Sequence, residues 1–140
     1  MKLPSLLTFV LSLALGLTST LAADDTPLMK EMKAMNKSLR TLKRQVADAT
    51  KKDDNVQLIA GIKKNIDASV ALQPTQTKDI PAAEKAAYLD KYKAQMGDLT
   101  KMFDELDGLV KEGKTDAAAA VFEKLSQAKE KGHKDFGADE

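Results

Sequence analysis

Cysteine is absent from this chain of 140 residues. That excludes disulfides, thiolate zinc sites, iron–sulfur clusters, cysteine nucleophiles and any thioether-linked prosthetic group. Tryptophan is absent as well, and aromatic residues make up only 4% of the chain. Ala, Leu, Lys, Asp and Glu dominate instead, a composition that favours helix over sheet. Net charge is nearly missing too, with 22 basic residues against 21 acidic ones. A balanced surface lacks the basic field that nucleic acid demands, and it marks no evident membrane or polyanion binder. No Ser-His-Asp set, catalytic carboxylate pair or glycine-rich phosphate loop is present. No catalytic residue is assigned, and the chain is not expected to be an enzyme. Histidine occurs once, as His133.

The apolar run of residues 6–17 falls short of the ~20 residues that span a bilayer. Lys2 precedes it and Thr20-Leu21-Ala22 follows it, which is the form of a secretory signal peptide. We expect residues 1–22 to be a leader cut near Ala22, and 23–140 to be one exported domain in the periplasm. The mature form should be monomeric and free of membrane. Without disulfides it must be held by its core, a bound cofactor, or both.

Hydrophobic periodicity predicts four helices. The first starts at Thr26-Pro27, an N-cap followed by proline. Its seam is Leu28, Met32, Met35, Leu39, Leu42, Val46 and Ala49, a heptad spacing. Asp53 or Asp54 should cap the second helix, which carries Val56, Ile59, Ile62, Ile66 and Val70 and is expected to stop at Pro74. The third should run from Pro81 to Glu112, with Tyr92, Met96, Leu99, Phe103, Leu106 and Val110 on one seam. Gly113 should end it, and Thr115 should cap the fourth, which bears Ala118, Phe122, Leu125, His133 and Phe136. Short loops and heptad seams imply an all-α, antiparallel up-down-up-down four-helix bundle, one domain with its own core.

That topology puts the start of the first helix and the end of the fourth at the same tip of the bundle. Leu28, Met29, Met32, Met35, Pro74, Tyr88, Tyr92, Met96, His133 and Phe136 should converge there. An apolar wall with an imidazole and thioethers suits a flat apolar macrocycle whose iron takes axial side chains. Each part also has a plainer reading. Methionines at helical spacing fill core gaps, and a histidine in a last helical turn complements the helix dipole. Met-rich turns near a histidine could instead hold Cu(I), as a periplasmic copper-binding protein. A haem-free helical binding module is a third reading.

At these residues the sequence resembles the periplasmic cytochrome b-562 family. The likeness rests on Leu28-xxx-Met32-xx-Met35-Asn36-xx-Leu39-xx-Leu42, on Glu112-Gly113-Lys114-Thr115 with its Ala-rich continuation, and on His133-Lys134-Asp135-Phe136. The resemblance implies one non-covalent haem b in the bundle, Met32 and His133 as its axial ligands, and electron transfer with a redox partner protein whose identity is unknown. Leu28, Met35, Pro74, Tyr92, Met96 and Phe136 are then expected as pocket wall. Met32 lies on the heptad seam, but Met29 and Met35 sit only about 60° to either side, so periodicity leaves them open. The chain departs from the family at Lys129, where the family has Arg, and at Met96, which replaces an aromatic. Gly132, beside the histidine, weakens a helix by about 1 kcal/mol relative to Ala.

Overall fold

A computed structural model describes residues 25–137; the expected leader at 1–22 lies outside the described residues. Four helices account for most of the described chain: α1 (Pro27–Gln45), α2 (Lys52–Val70), α3 (Ala82–Lys111) and α4 (Thr115–Phe136). The class is the expected all-α four-helix bundle.

Helix α1 begins as its sequence dictates. Thr26 is extended, and its hydroxyl accepts from the Met29 amide at 3.2 Å, with Pro27 in the first turn. It ends earlier than the heptad seam suggests. Val46 is the buried C-cap, and Ala49 is exposed in a short 3-10 turn, Ala49–Lys51. Asp48 makes that turn: its carboxylate accepts from the Thr50 amide at 2.9 Å and the Thr50 hydroxyl at 2.6 Å. This local bonding competes with helix continuation, and the same two bonds hold the Asp48 carboxyl below its ordinary range.

Two expected caps are corrected. Helix α2 is preceded by Lys51, and Asp53 and Asp54 lie inside its first turn, where they favour the positive pole of the dipole without capping it. Helix α4 starts at Thr115 itself after Lys114, with no side-chain cap. Pro74 is also not what stops α2, which ends at Val70. There the Ser69 carbonyl takes the Leu72 amide at 3.0 Å and tightens the last turn. Gly113 does end α3 as expected. At φ 73° it donates to the Val110 carbonyl, and Lys114 donates to that of Leu109, closing the last turn in a Schellman arrangement.

Contacts between helices fix their directions. Along α1 and α2, Gln45 bonds Asn55 at 2.9 Å while Glu31 accepts from Asn65 at 2.8 Å. Between α2 and α3, Lys63 pairs with Asp104, and Ser69 meets Tyr92. Between α3 and α4, Lys91 pairs with Asp135 at 3.4 Å, while Gln95 donates to the Ala128 carbonyl at 3.3 Å. In each pair one number rises as the other falls, so neighbours run in opposite directions. Consecutive helices pack along their lengths, whereas α1 and α4 approach each other at isolated points at most.

The core is the expected seams meeting. Leu42, Ile59, Ile62, Ile66, Phe103 and Leu106 are fully or almost fully buried, with Val110, Ala118, Phe122 and Leu125 around them. Burying each large apolar side chain contributes roughly 1.5–3 kcal/mol, which is how a disulfide-free chain holds. One polar residue shares this core. Asn55 is buried, and it both accepts from Gln45 and donates to the Gln45 carbonyl at 3.1 Å, locking the α1–α2 corner. Among the described residues, no helix is long and apolar enough to cross a membrane.

Candidate functional site

Where α1 and α4 stand apart, a slot opens at the tip of the bundle. It encloses about 770 Å³ of atom-free space, counting its mouth to solvent. Helix α1 contributes Leu28, Met32, Met35, Asn36 and Leu39. Helix α3 backs it with Tyr92, Gln95, Met96, Leu99 and Phe103. Helix α4 closes the other side with Leu125, Ala128, Lys129, Gly132, His133 and Phe136, and Pro74 reaches in from the α2–α3 loop.

All eight residues singled out from the sequence, Leu28, Met32, Met35, Pro74, Tyr92, Met96, His133 and Phe136, therefore line one slot. Met29 and Tyr88, also expected at this tip, are not on its lining. Among the three clustered methionines, Met32 is half-buried and Met35 is buried in the core. Both Met32 and Met35 line the slot, and Met32 is the more exposed of the two.

Packing holds the end wall in place. The Phe136 ring meets Tyr88 and Tyr92 edge-on, with centroids 5.3 and 5.4 Å apart. Such pairs add about 0.5–1.5 kcal/mol beyond their burial. The Tyr92 hydroxyl donates to the Ser69 carbonyl at 3.0 Å, anchoring α3 to the end of α2. Outside this wall the Asp135 carboxylate accepts from Lys131 at 2.6 Å and faces Lys91 at 3.4 Å. The Lys131 hydrogen bond, aided by Lys91, holds the Asp135 carboxyl below its ordinary range. These links fasten the last turn of α4, which carries His133, to α3.

Sequence reasoning missed Asn36, Leu39, Gln95, Leu99, Phe103, Leu125 and Ala128 as lining. The apolar ones were legible as core seam, but nothing local marked them as facing a cavity. Gly132, read above as a weak point of the helix, has a packing role: a β-carbon there would lie 2.9 Å from the Gln95 amide nitrogen.

The residues present suit a haem. The walls are apolar apart from Asn36, Gln95, Lys129 and His133, and they offer an imidazole from α4 and a thioether from α1. Besides His133, the polar residues of the lining are Asn36, Gln95 and Lys129, groups of the kind that bind a haem's carboxylates. Among the described residues no cluster of His, Asp or Glu is built to hold a metal ion by itself.

A four-helix bundle with an apolar slot between its first and last helices, furnished with one imidazole and thioethers, defines a class of small helical carriers of a flat prosthetic group. The family model for cytochrome b562 matches residues 27–136, from the first residue of α1 to the last of α4, and the chain belongs to that family. It is a family of haem-binding electron-transfer cytochromes, so membership implies a haem cofactor and a carrier's role rather than catalysis. No curated protein and no solved structure matches the chain.

Proposed function

We propose that this chain is a periplasmic electron carrier that holds one non-covalent haem b between Met32 and His133. The carrying observation is that Met32 on α1 and His133 on α4 line the same slot, at the one seam where consecutive-helix packing does not close the bundle. Haem, when bound, supplies one-electron redox chemistry at its iron. The chain's own residues do the rest. A neutral imidazole donates strongly, and a thioether is a softer donor that favours the reduced state and raises the potential. Held by both Met32 and His133, the iron would keep no position open to oxygen or peroxide, which suits electron transfer rather than turnover. Leu28, Met35, Leu39, Met96 and Phe103 exclude water, and Lys129 offers an ammonium to the carboxylate edge. The mature form, cut near Ala22, would act as a monomer toward its redox partner.

The copper reading draws less support. It needs several thioethers around one ion, and Met29 is off the slot that Met32 and Met35 share.

The test is the visible spectrum of the protein as isolated, oxidised and then reduced. A low-spin spectrum is expected, and Met32→Ala and His133→Ala should each convert it to a weaker or five-coordinate one. If neither variant alters the spectrum, the ligand assignment is wrong. Copper-dependent stabilisation without haem uptake would replace it with the copper reading.

A further inference from the structure

Charge is spread unevenly over this balanced chain. Helix α1 carries Lys30, Lys33, Lys37, Arg40, Lys43 and Arg44 against Glu31 alone, while α2, α3 and α4 carry acids and bases in near-equal numbers. Part of the excess is absorbed locally, because Lys33 is paired with Asp25 at 2.7 Å. Lys43 and Arg44 lie in the last turn of α1, where cations suit the dipole. Neither account reaches Arg40. A second groove continues from the slot along the α1/α4 seam. Arg40 and Lys43 line one side, Lys129 and Glu130 the other, and His133 lines this groove as well as the slot. Among the described residues Arg40 and Lys43 form no ion pair.

We propose that this groove, with Arg40 and Lys43, is the docking face for an acidic surface patch of a redox partner protein. The proposal rests on the electron-carrier reading for its purpose. Electron transfer falls steeply with distance, so a partner is best placed where the candidate ligand His133 comes to the surface, and the groove does that. Complementary charge steers encounter and fixes orientation more than it adds affinity. A local excess in an otherwise neutral protein gives such steering without general stickiness. The recess between two helices fits carboxylates that project from a protein better than a flat bilayer.

The test titrates the 15N-labelled, reduced protein as isolated with poly-L-glutamate at low ionic strength. Amide shifts are expected to cluster on residues 37–44 and 126–130. Arg40→Glu with Lys43→Glu should weaken binding about tenfold, and so should raising the salt from about 0.01 M to about 0.15 M. The first of these changes sets a carboxylate four residues before Arg44, a favourable helical pairing, so the variant should fold with an unchanged haem spectrum. In the same variant, oxidation of the reduced haem by ferricyanide should slow, and oxidation by the cationic tris(phenanthroline)cobalt(III) should quicken. An equal loss from the same charge change on α2, Lys52→Glu with Lys64→Glu, would overturn the proposal. So would shifts on another face, salt-sensitive self-association, or preferential capture by phosphatidylglycerol vesicles. The shift map reads the groove without any haem signal, so a haem-free isolate would sink the carrier reading separately.

Discussion

The side-chain amide of Gln95 occupies the space in which residue 132 would carry a β-carbon; its Nε2 lies 2.9 Å from that position. The same nitrogen donates to the Ala128 carbonyl at 3.3 Å, one turn before Gly132, so α3 and α4 approach closely right beside His133. Gly132→Ala sets two effects against each other. Helix propensity gains about 1 kcal/mol. The Gln95 amide must swing away, losing a hydrogen bond of about 0.5–1.5 kcal/mol. Stability should change by less than about 1 kcal/mol, yet haem affinity should drop, because Gln95 lines the slot. With Gln95→Ala in the background, Gly132→Ala should become stabilising. Denaturant melts and haem titration of the four proteins in the cycle check this; equal effects in both backgrounds would refute the coupling.

Tyr92→Phe removes the hydroxyl bonded to Ser69 and leaves the ring. The Ser69 carbonyl still accepts from Leu72, so no buried acceptor is orphaned. A loss of about 0.5–1.5 kcal/mol is expected, well short of a cavity-forming change, with haem binding retained. Urea midpoints of the two proteins measure it.

Thr77, in the turn Thr75–Asp79, is buried and its hydroxyl has no partner among the described residues. Burying an unpartnered hydroxyl costs about 1–3 kcal/mol. Thr77→Val keeps the shape and should raise the unfolding free energy by on the order of 1 kcal/mol. A loss would mean that the hydroxyl bonds an ordered water.

Asp135 should matter at acid pH. Its carboxyl titrates below the ordinary value of 3.8 because Lys131, and then Lys91, bond its charged form. A lowered folded-state pKa gives stability that is complete above the unfolded value and disappears as pH falls through the folded one. The difference in melting temperature between the protein and Asp135→Asn should be flat through neutral pH and shrink as the pH falls below the ordinary Asp value toward the lowered folded one. Both lysines are exposed, so salt should shrink the difference. A difference that grew on acidification would contradict the pairing.

Haem retention should also be sensitive to acid. Iron binds the neutral imidazole, so protons compete for His133 as the solution is acidified. Haem occupancy, read by its absorption after gel filtration, should fall as the pH is lowered while the helices remain folded. Occupancy that stayed flat until the fold itself melted would argue against a histidine ligand.

The heptad spacing on α3, from Tyr92 to Val110, was enough to predict a helix and its buried face, and all of its members but half-buried Leu99 are core. Thr26-Pro27 and Gly113 likewise announced a start and a stop, because cap and turn geometry are local. Where local signals competed, the reading slipped. Asp53, Asp54 and Thr115 are all good capping types, but Asp48 had already bent the chain ahead of α2, and Lys114 entered α4 without a cap.

Residue types and their order along the chain decided that this protein is helical, that its seams bury, and that an imidazole and a thioether are carried at the two ends of the bundle's chain. Those properties follow from backbone propensity and a period of 3.6. Tertiary packing alone decided that Met32 and Met35 but not Met29 line the slot, that α1 and α4 stand apart, and that a β-carbon at residue 132 would meet the Gln95 amide. Each of these depends on the distance between surfaces from different helices, and no stretch of sequence contains that distance.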